Sequence, residues 1–148
     1  MATPDDAKAR AAATYNSAAD FYDEPANSFW DRFGRRTIER ISPHPGSHIL
    51  DVCCGSGASS IPAAEIVGSK GSVLGIDLAE KLLELARRKA EARALNNVEF
   101  RVGDVLDLHL QKSEFDAVVC VFGIFFVPDM VVSSSVLFAN PHAPAVGP

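Results

Sequence analysis

Three acids recur at the ends of apolar runs: Asp51 in ILDVCCGSG, Asp77 in VLGID and Asp104 in FRVGD. Gly55-Ser56-Gly57 follows the first of them, two glycines one residue apart where a strand-like run stops. That spacing has a chemical use. Where a strand turns into a helix, the first N–H groups of the helix lack partners, and glycines remove the β-carbons that would hold a ligand away from them. Asp77 comes twenty residues after Gly57, at the end of the next apolar run, where one carboxylate can accept from two ribose hydroxyls. Asp104, flanked by Gly103 and Val105, ends a third run on the same rim. Each feature alone has a plainer use: Gly-x-Gly as a tight turn, Asp77-x-x-Glu80 as a helix cap, Asp104 as a turn residue. Their common register, at the ends of consecutive strands, describes a slot for an adenosine-bearing ligand.

The elements that must position these residues alternate. The pattern predicts strands at 48–53, 72–76, 98–102 and 116–121, and helices at 58–67 and 79–95. Ala79, Leu83, Ala86, Ala90 and Ala94 would line the buried stripe of the second helix, with Arg87, Arg88, Lys89 and Glu91 facing water. Strand, helix, strand, helix, strand is the grammar of an α/β fold with a doubly wound, mostly parallel sheet, and the continuously apolar strands suit a sheet covered on both faces. Ahead of it, a helix is expected over 5–13 and an amphipathic helix over 28–41. The latter would begin with a capping box of Ser28 and Asp31 and would place Trp30, Phe33, Ile38 and Ile41 near one face. Pro43-His44-Pro45-Gly46 then breaks the chain, giving a helical cap at 1–46, an α/β core at 47–130 and an uncharged tail at 131–148.

Composition narrows the classes. The 148 residues suit one domain. A net charge of −5, from 19 acids against 14 bases, advertises no basic face for nucleic acid or an anionic membrane. No apolar run is long enough to span a bilayer, and residues 1–20 carry no apolar signal segment. Three cysteines, two of them adjacent, make no disulfide framework and suit a reducing, cytoplasmic setting. The four histidines share no metal-ligand spacing with them.

Two cofactors compete for the slot. A nicotinamide dinucleotide sets its pyrophosphate on the turn and asks for a third glycine. Ser60 stands there instead, and Asp51 would repel a pyrophosphate. An acid before the turn suits a ligand with adenosine, no phosphate and an ammonium group, which describes S-adenosyl-L-methionine. At these residues the chain resembles the class I S-adenosylmethionine-dependent methyltransferases, and within them the ubiquinone/menaquinone-biosynthesis group. The family's first motif, an acid and then three glycines at alternate positions, is matched by Asp51-Val52-Cys53-Cys54-Gly55-Ser56-Gly57, with Cys53 in place of the first glycine. The resemblance runs through GIDLAEKLLELAR, VEFRVGDV and FDAVVCVFGIFFVPD. It implies that Asp51, Cys53 and the turn hold the methionine end, that Asp77 and Leu78 hold the ribose side, and that Gly103, Asp104 and Val105 lie near the adenine. Val121 and Phe122 would stand beside the transferable methyl, and Tyr15 belongs to a lid over residues 15–23. Cys53 and Cys54 read as small residues at a tight strand end, since no basic neighbour would make a thiolate of either.

After Met130 the resemblance stops: VVSSSVLFANPHAPAVGP carries no charge and three prolines. The expectation is therefore a methyltransferase domain lacking its last strands, acting on a small-molecule acceptor and impaired in transfer. Its uncovered sheet edge would invite self-association. Two rivals are a fragment that binds the cofactor or a partner without catalysis, and an NAD(P)-dependent oxidoreductase fragment. Tyr15, Tyr22 and His44 are the candidate general bases, and none is singled out.

Overall fold

The computed structural model describes residues 3–110 and 114–123. The end of the FDAVVCVFGIFFVPD stretch from position 124 and the 131–148 tail lie outside these residues. Strands β1 (His48–Val52), β2 (Ser72–Asp77), β3 (Val98–Val102) and β4 (Ala117–Val119) form one sheet in the order β3-β2-β1-β4. Every adjacent pair is parallel, with Asp51 opposite Gly75 on one side and Val119 on the other. Helix α1 (Pro4–Tyr22) and helix α2 (Phe29–Ile41) precede the sheet, α3 (Ser60–Val67) joins β1 to β2, and α4 (Glu80–Ala92) joins β2 to β3. Strand order reverses beside β1, the place where open parallel sheets leave a crevice at their carboxyl ends.

Side chains alternate across the sheet. Ile49, Val73 and Val119 pack on one face with Ala63, Ala64 and Val67 of α3 and Ile38 of α2. Leu50, Val52, Leu74 and Ile76 pack on the other, covered by Leu106, Leu108, Leu110 and Phe115. Asp51 shares the Ile49 side and so points into the layer beneath α3, where it is buried against the Ser59 and Ser60 hydroxyls at 2.7 and 2.5 Å.

The expected strands are present with trimmed ends, since β1 stops at Val52 and β4 covers only three residues. Helix α1 is far longer than the expected 5–13. Its start is fixed by a capping box of Thr3 and Asp6 with Pro4 in the first turn. Its mid-helix hydroxyls are absorbed locally, Thr14 donating to the Arg10 carbonyl and Ser17 to that of Thr14. At α2 the expected capping box is absent. Ser28 is already helical at φ −58°, ψ −6° after a 3₁₀ turn over Pro25–Asn27, and its hydroxyl caps nothing. The expected apolar face is also turned, because Ile38 is buried while Phe33 and Ile41 are exposed. Gly34 sets that rotation: a β-carbon there would fall on the Ala58 carbonyl. In α4 the buried set is Leu82, Leu83, Ala86 and Ala90. Ala94 lies beyond the helix, exposed and left-handed at φ 53°. Lys89, expected to face water, is half-buried.

Because α2 backbone meets the Ala58–Ser59 backbone at Gly34, Gly34→Ala is expected to destabilise the chain by about 1–3 kcal/mol through overpacking. Thermal unfolding followed by circular dichroism, with exposed Arg36→Ala as the control, checks this. An unchanged midpoint would show that α2 does not depend on that contact.

Candidate functional site

The carboxyl ends of the strands open into one cavity roofed by α1. Its floor is the turn after β1, where Cys53, Gly55 and Gly57 all adopt left-handed φ values of 55°, 54° and 85°. For Cys53 that conformation costs roughly 1–2 kcal/mol, and a packed surround holds it: Cys53 shares a cluster with Cys120 and Val52, and a β-carbon on Gly123 would collide with its own β-carbon. Asp77 fixes the turn from the side. Its Oδ2 accepts from the Gly55 N–H at 2.9 Å, and its Oδ1 accepts from the Ala79 N–H at 2.9 Å at the start of α4. The Asp77-x-x-Glu80 cap is not formed as expected: α4 begins at Glu80 with Ala79 as its N-cap, and Asp77 bonds the Ala79 amide from two residues ahead while also bordering the cavity.

Charge is concentrated here by burial. Burial pushes the Asp77 carboxyl up, and bonds from the Ala79, Gly55 and Leu78 amides oppose the shift. Asp51 is pushed up to about 6 by complete burial, against the opposing bonds from Ser60 and Ser59, and its Oδ1 has no hydrogen-bond partner. Asp104 behaves differently: burial would raise it, but the Lys8 ammonium at 2.5 Å and the Leu106 N–H at 3.0 Å together hold it below the ordinary carboxylate value. The Cys53 thiol is raised by its hydrogen bond with Cys120 and by burial, and Cys54 by burial. Neither is an activated nucleophile.

The roof is held by polar contacts. Lys8 on the first turns of α1 pairs with Asp104, and Asn16 Oδ1 accepts from the Lys81 N–H of α4 at 3.0 Å. Asp23, which caps the end of α1, accepts from Ser56 at 2.8 Å and from Lys89 at 3.2 Å. Lys89 also reaches Asp31 of α2 at 3.4 Å. Apart from Tyr15 and Tyr22, which pack around Ala19, Ala79 and Leu82, little of α1 is apolar contact; Ala19 is its single buried residue.

Of the sequence candidates, Tyr15, Cys53, Gly55, Asp77, Leu78, Gly103, Asp104, Val105, Val121 and Phe122 border this cavity. Asp51, Ser56 and Gly57 do not. Asp51 faces the α3 layer, Ser56 turns to Asp23, and Gly57 is packed among Ala86, Ile61 and Phe100 at 3.3–3.4 Å from a would-be β-carbon. His44 lies in the loop before β1, at the amino end of the sheet, and does not line the cavity. The phenols of Tyr15 and Tyr22 are both raised, chiefly by burial, and stay protonated. Lys8, Ala12 and Trp30 were missed. The spacing Lys8, Ala12, Tyr15, Ala19, Tyr22 is a helical stripe that would have found the first two, once α1 was carried past Ala13.

With this geometry in hand, similarity to known proteins is informative. Residues 49–137 match the family described as methyltransferase domain. An aklanonic acid methyltransferase from Streptomyces sp. (strain C5) is 37% identical over 117 residues, which is 79% of this chain and 53% of that protein. A demethylmenaquinone methyltransferase from Lactococcus lactis subsp. lactis (strain IL1403) is 34% identical over 108 residues, 73% of this chain and 43% of that protein. Among solved structures, an arsenic(III) S-adenosylmethionine methyltransferase from Chlamydomonas reinhardtii aligns with a TM-score of 0.58 at 35% identity, over 65% of this chain and 36% of that one. The chain spans about half the length, or less, of these curated relatives. Since the glycine turn, Asp77 and Asp104 all stand inside the matched range, the chain belongs to the S-adenosyl-L-methionine-dependent methyltransferases.

Proposed function

We propose that the cavity holds S-adenosyl-L-methionine with its ribose on Asp77, and that the domain serves methyl transfer to a small-molecule acceptor. The observation that carries this is the placement of Asp77: it braces the glycine turn and the start of α4 and still borders the cavity. The residues present suit the cofactor. Nothing but the Tyr22 hydroxyl and a Leu82 methyl, each at 3.8 Å, approaches the vacant β-carbon position of Gly55, so a ligand can lie against the backbone. Asp51, with its unpartnered Oδ1, supplies negative potential from behind the turn for an ammonium group, although it does not border the cavity itself. Gly103 and Asp104 form the opposite end, the adenine side in this reading.

The cofactor supplies a sulfonium methyl open to in-line displacement. What the chain supplies is position and exclusion of water. With Tyr15 and Tyr22 protonated and His44 away from the cavity lining, none of the three candidate bases is favoured. The acceptor in this reading brings its own ionised or enolised nucleophile. The names of the two curated relatives above, aklanonic acid methyltransferase and demethylmenaquinone methyltransferase, point to small-molecule acceptors, which agrees.

Transfer by this chain alone is proposed to be weak. Phe29, Phe33 and Phe122, around the mouth, are 43, 38 and 37% exposed, so the described residues leave the acceptor side wet. Binding of the cofactor without turnover, the second reading, rests on the same exposure.

Asp77→Ala is expected to weaken S-adenosylmethionine binding by about 1–3 kcal/mol, the cost of stranding hydroxyls without a charged partner. Titration calorimetry showing equal affinity would remove Asp77 from the site. A second expectation concerns Asp51. Its carboxyl titrates near 6 folded against an ordinary value of 3.8, so the folded state binds more protons between those values and stability falls as pH rises from about 4 to 6. The full displacement corresponds to about 3 kcal/mol. Asp51→Asn should flatten this slope in urea melts at pH 4 and 7; an unaltered slope would assign it to another group. Finally, the purified chain is expected to bind the cofactor yet show no methyl transfer to phenols and quinols, and turnover above background would overturn the impaired reading.

A further inference from the structure

Helix α2 carries a surface that neither the core nor the cavity explains. Successive helical residues turn about 100°, so Arg32, Arg36, Phe29, Arg40 and Phe33 fall within about 100° of arc. This arc lies directly opposite Gly34 and Ile38, the residues that seat the helix on the domain. Phe29 and Phe33 are 43 and 38% exposed. Arg32, Phe33, Arg36, Thr37 and Arg40 line a shallow surface depression. Among the described residues no carboxylate pairs with Arg32, Arg36 or Arg40, whereas Arg35, on the flank, is spent on Glu65 at 3.5 Å. The Arg32 guanidinium lies over the Phe33 ring, 5.4 Å from its centroid.

We propose that this outward face of α2 is a docking surface for anionic phospholipid bilayers. Unpaired guanidiniums on the solvent side of a protein of net charge −5 suit an anionic partner, and aromatic rings interleaved with them suit one that also accepts apolar groups. The boundary between anionic headgroups and acyl chains offers both. Phe29 and Phe33 would enter the acyl boundary while the arginine stems run along it and return their heads to the phosphates. The three charges span about 12 Å along the helix, longer than one small carboxylate ligand and matched to several neighbouring headgroups. Basic residues near an anionic bilayer are each drawn to it, so three arginines and two partly exposed rings give reversible, salt-sensitive attachment.

The patch is continuous with the cavity mouth. Phe29 stacks on Phe122 at 5.5 Å, and Phe122 meets Trp30 at 5.7 Å and Phe33 at 5.6 Å. Attachment through α2 therefore sets the mouth against the lipid surface. The docking surface itself does not rest on the cofactor reading, because none of its arginines borders the cavity.

Co-sedimentation of the 148-residue chain with vesicles tests this, using 40:60 phosphatidylglycerol:phosphatidylcholine against pure phosphatidylcholine. The fluorescence of Trp30, the single tryptophan, provides a second readout. The expected result is binding to the anionic vesicles with a blue shift of Trp30, little binding to neutral ones, and release by 0.5 M salt. Arg36→Glu/Arg40→Glu should weaken partitioning about tenfold or more. Its affinity for S-adenosylmethionine should equal that of the parent chain, which shows that the variant is folded. Phe29→Ser/Phe33→Ser should lose the blue shift but keep part of the salt-sensitive binding. Equal adsorption to neutral vesicles, no vesicle binding, or indifference to the double arginine reversal would each overturn the proposal. So would binding to polyglutamate without vesicle binding, which would point to an acidic protein partner. A dimer in sedimentation velocity that the arginine reversal dissolves, without vesicle binding, would assign the face to a second copy.

Discussion

The site depends on one carboxylate in two backbone hydrogen bonds. Asp77 holds the Gly55 amide with one oxygen and the Ala79 amide with the other, so the end of β2 dictates both the shape of the turn after β1 and the start of α4. Ala79 has no side chain able to cap, and the helix would begin with an orphan amide without this bond. The turn in turn sets Cys53 in a left-handed conformation and brings it against Cys120 and Gly123 at the end of β4. Three strand ends are thereby locked to one another through a group that also faces the ligand cavity. Its burial raises its pKa and the amide bonds hold the rise in check, a compromise suited to a residue asked to stay ionised while partly out of water.

Above this floor the chemistry of attachment changes. The sheet and its helices are joined by apolar contact, whereas α1 is joined to them chiefly through Lys8–Asp104, Asn16–Lys81 and Asp23 with Ser56 and Lys89. Polar contacts of this kind exchange with water at small net cost. The floor is accordingly held by contacts that exclude water and the roof by contacts that exchange with it, an order of stability suited to the proposed binding of a cofactor beneath α1.

The sheet was legible because parallel strands buried on both faces read as apolar runs ended by acids. The rim residues Asp77, Gly103 and Asp104 were legible because they occupy equivalent positions in successive units. Asp51 shows where this stops. Its place in the motif does not reveal that strand alternation sends it under α3 to Ser59 and Ser60, out of the cavity. The length of α1 was hidden because its inward stripe of Lys8, Ala12, Tyr15, Ala19 and Tyr22 consists of small and amphipathic residues that give only a weak apolar period, and the rotation of α2 because the decisive residue, Gly34, has no side chain to show in a pattern. The long-range partners of Lys8 and Lys89 are tertiary, and helical periodicity assigned Lys89 to solvent.

The bond from Asn16 to the Lys81 amide carries a consequence of its own. That amide belongs to α4, but its acceptor belongs to α1 and is supplied from 65 residues away. It is therefore satisfied only while the roof is seated. Its proton should exchange with solvent deuterium whenever α1 lifts, while amides deeper in α4 remain slow, so a single backbone position times the opening of the cavity. A ligand that closes the roof would slow that exchange without touching Lys81, giving an occupancy signal independent of chemistry at the site.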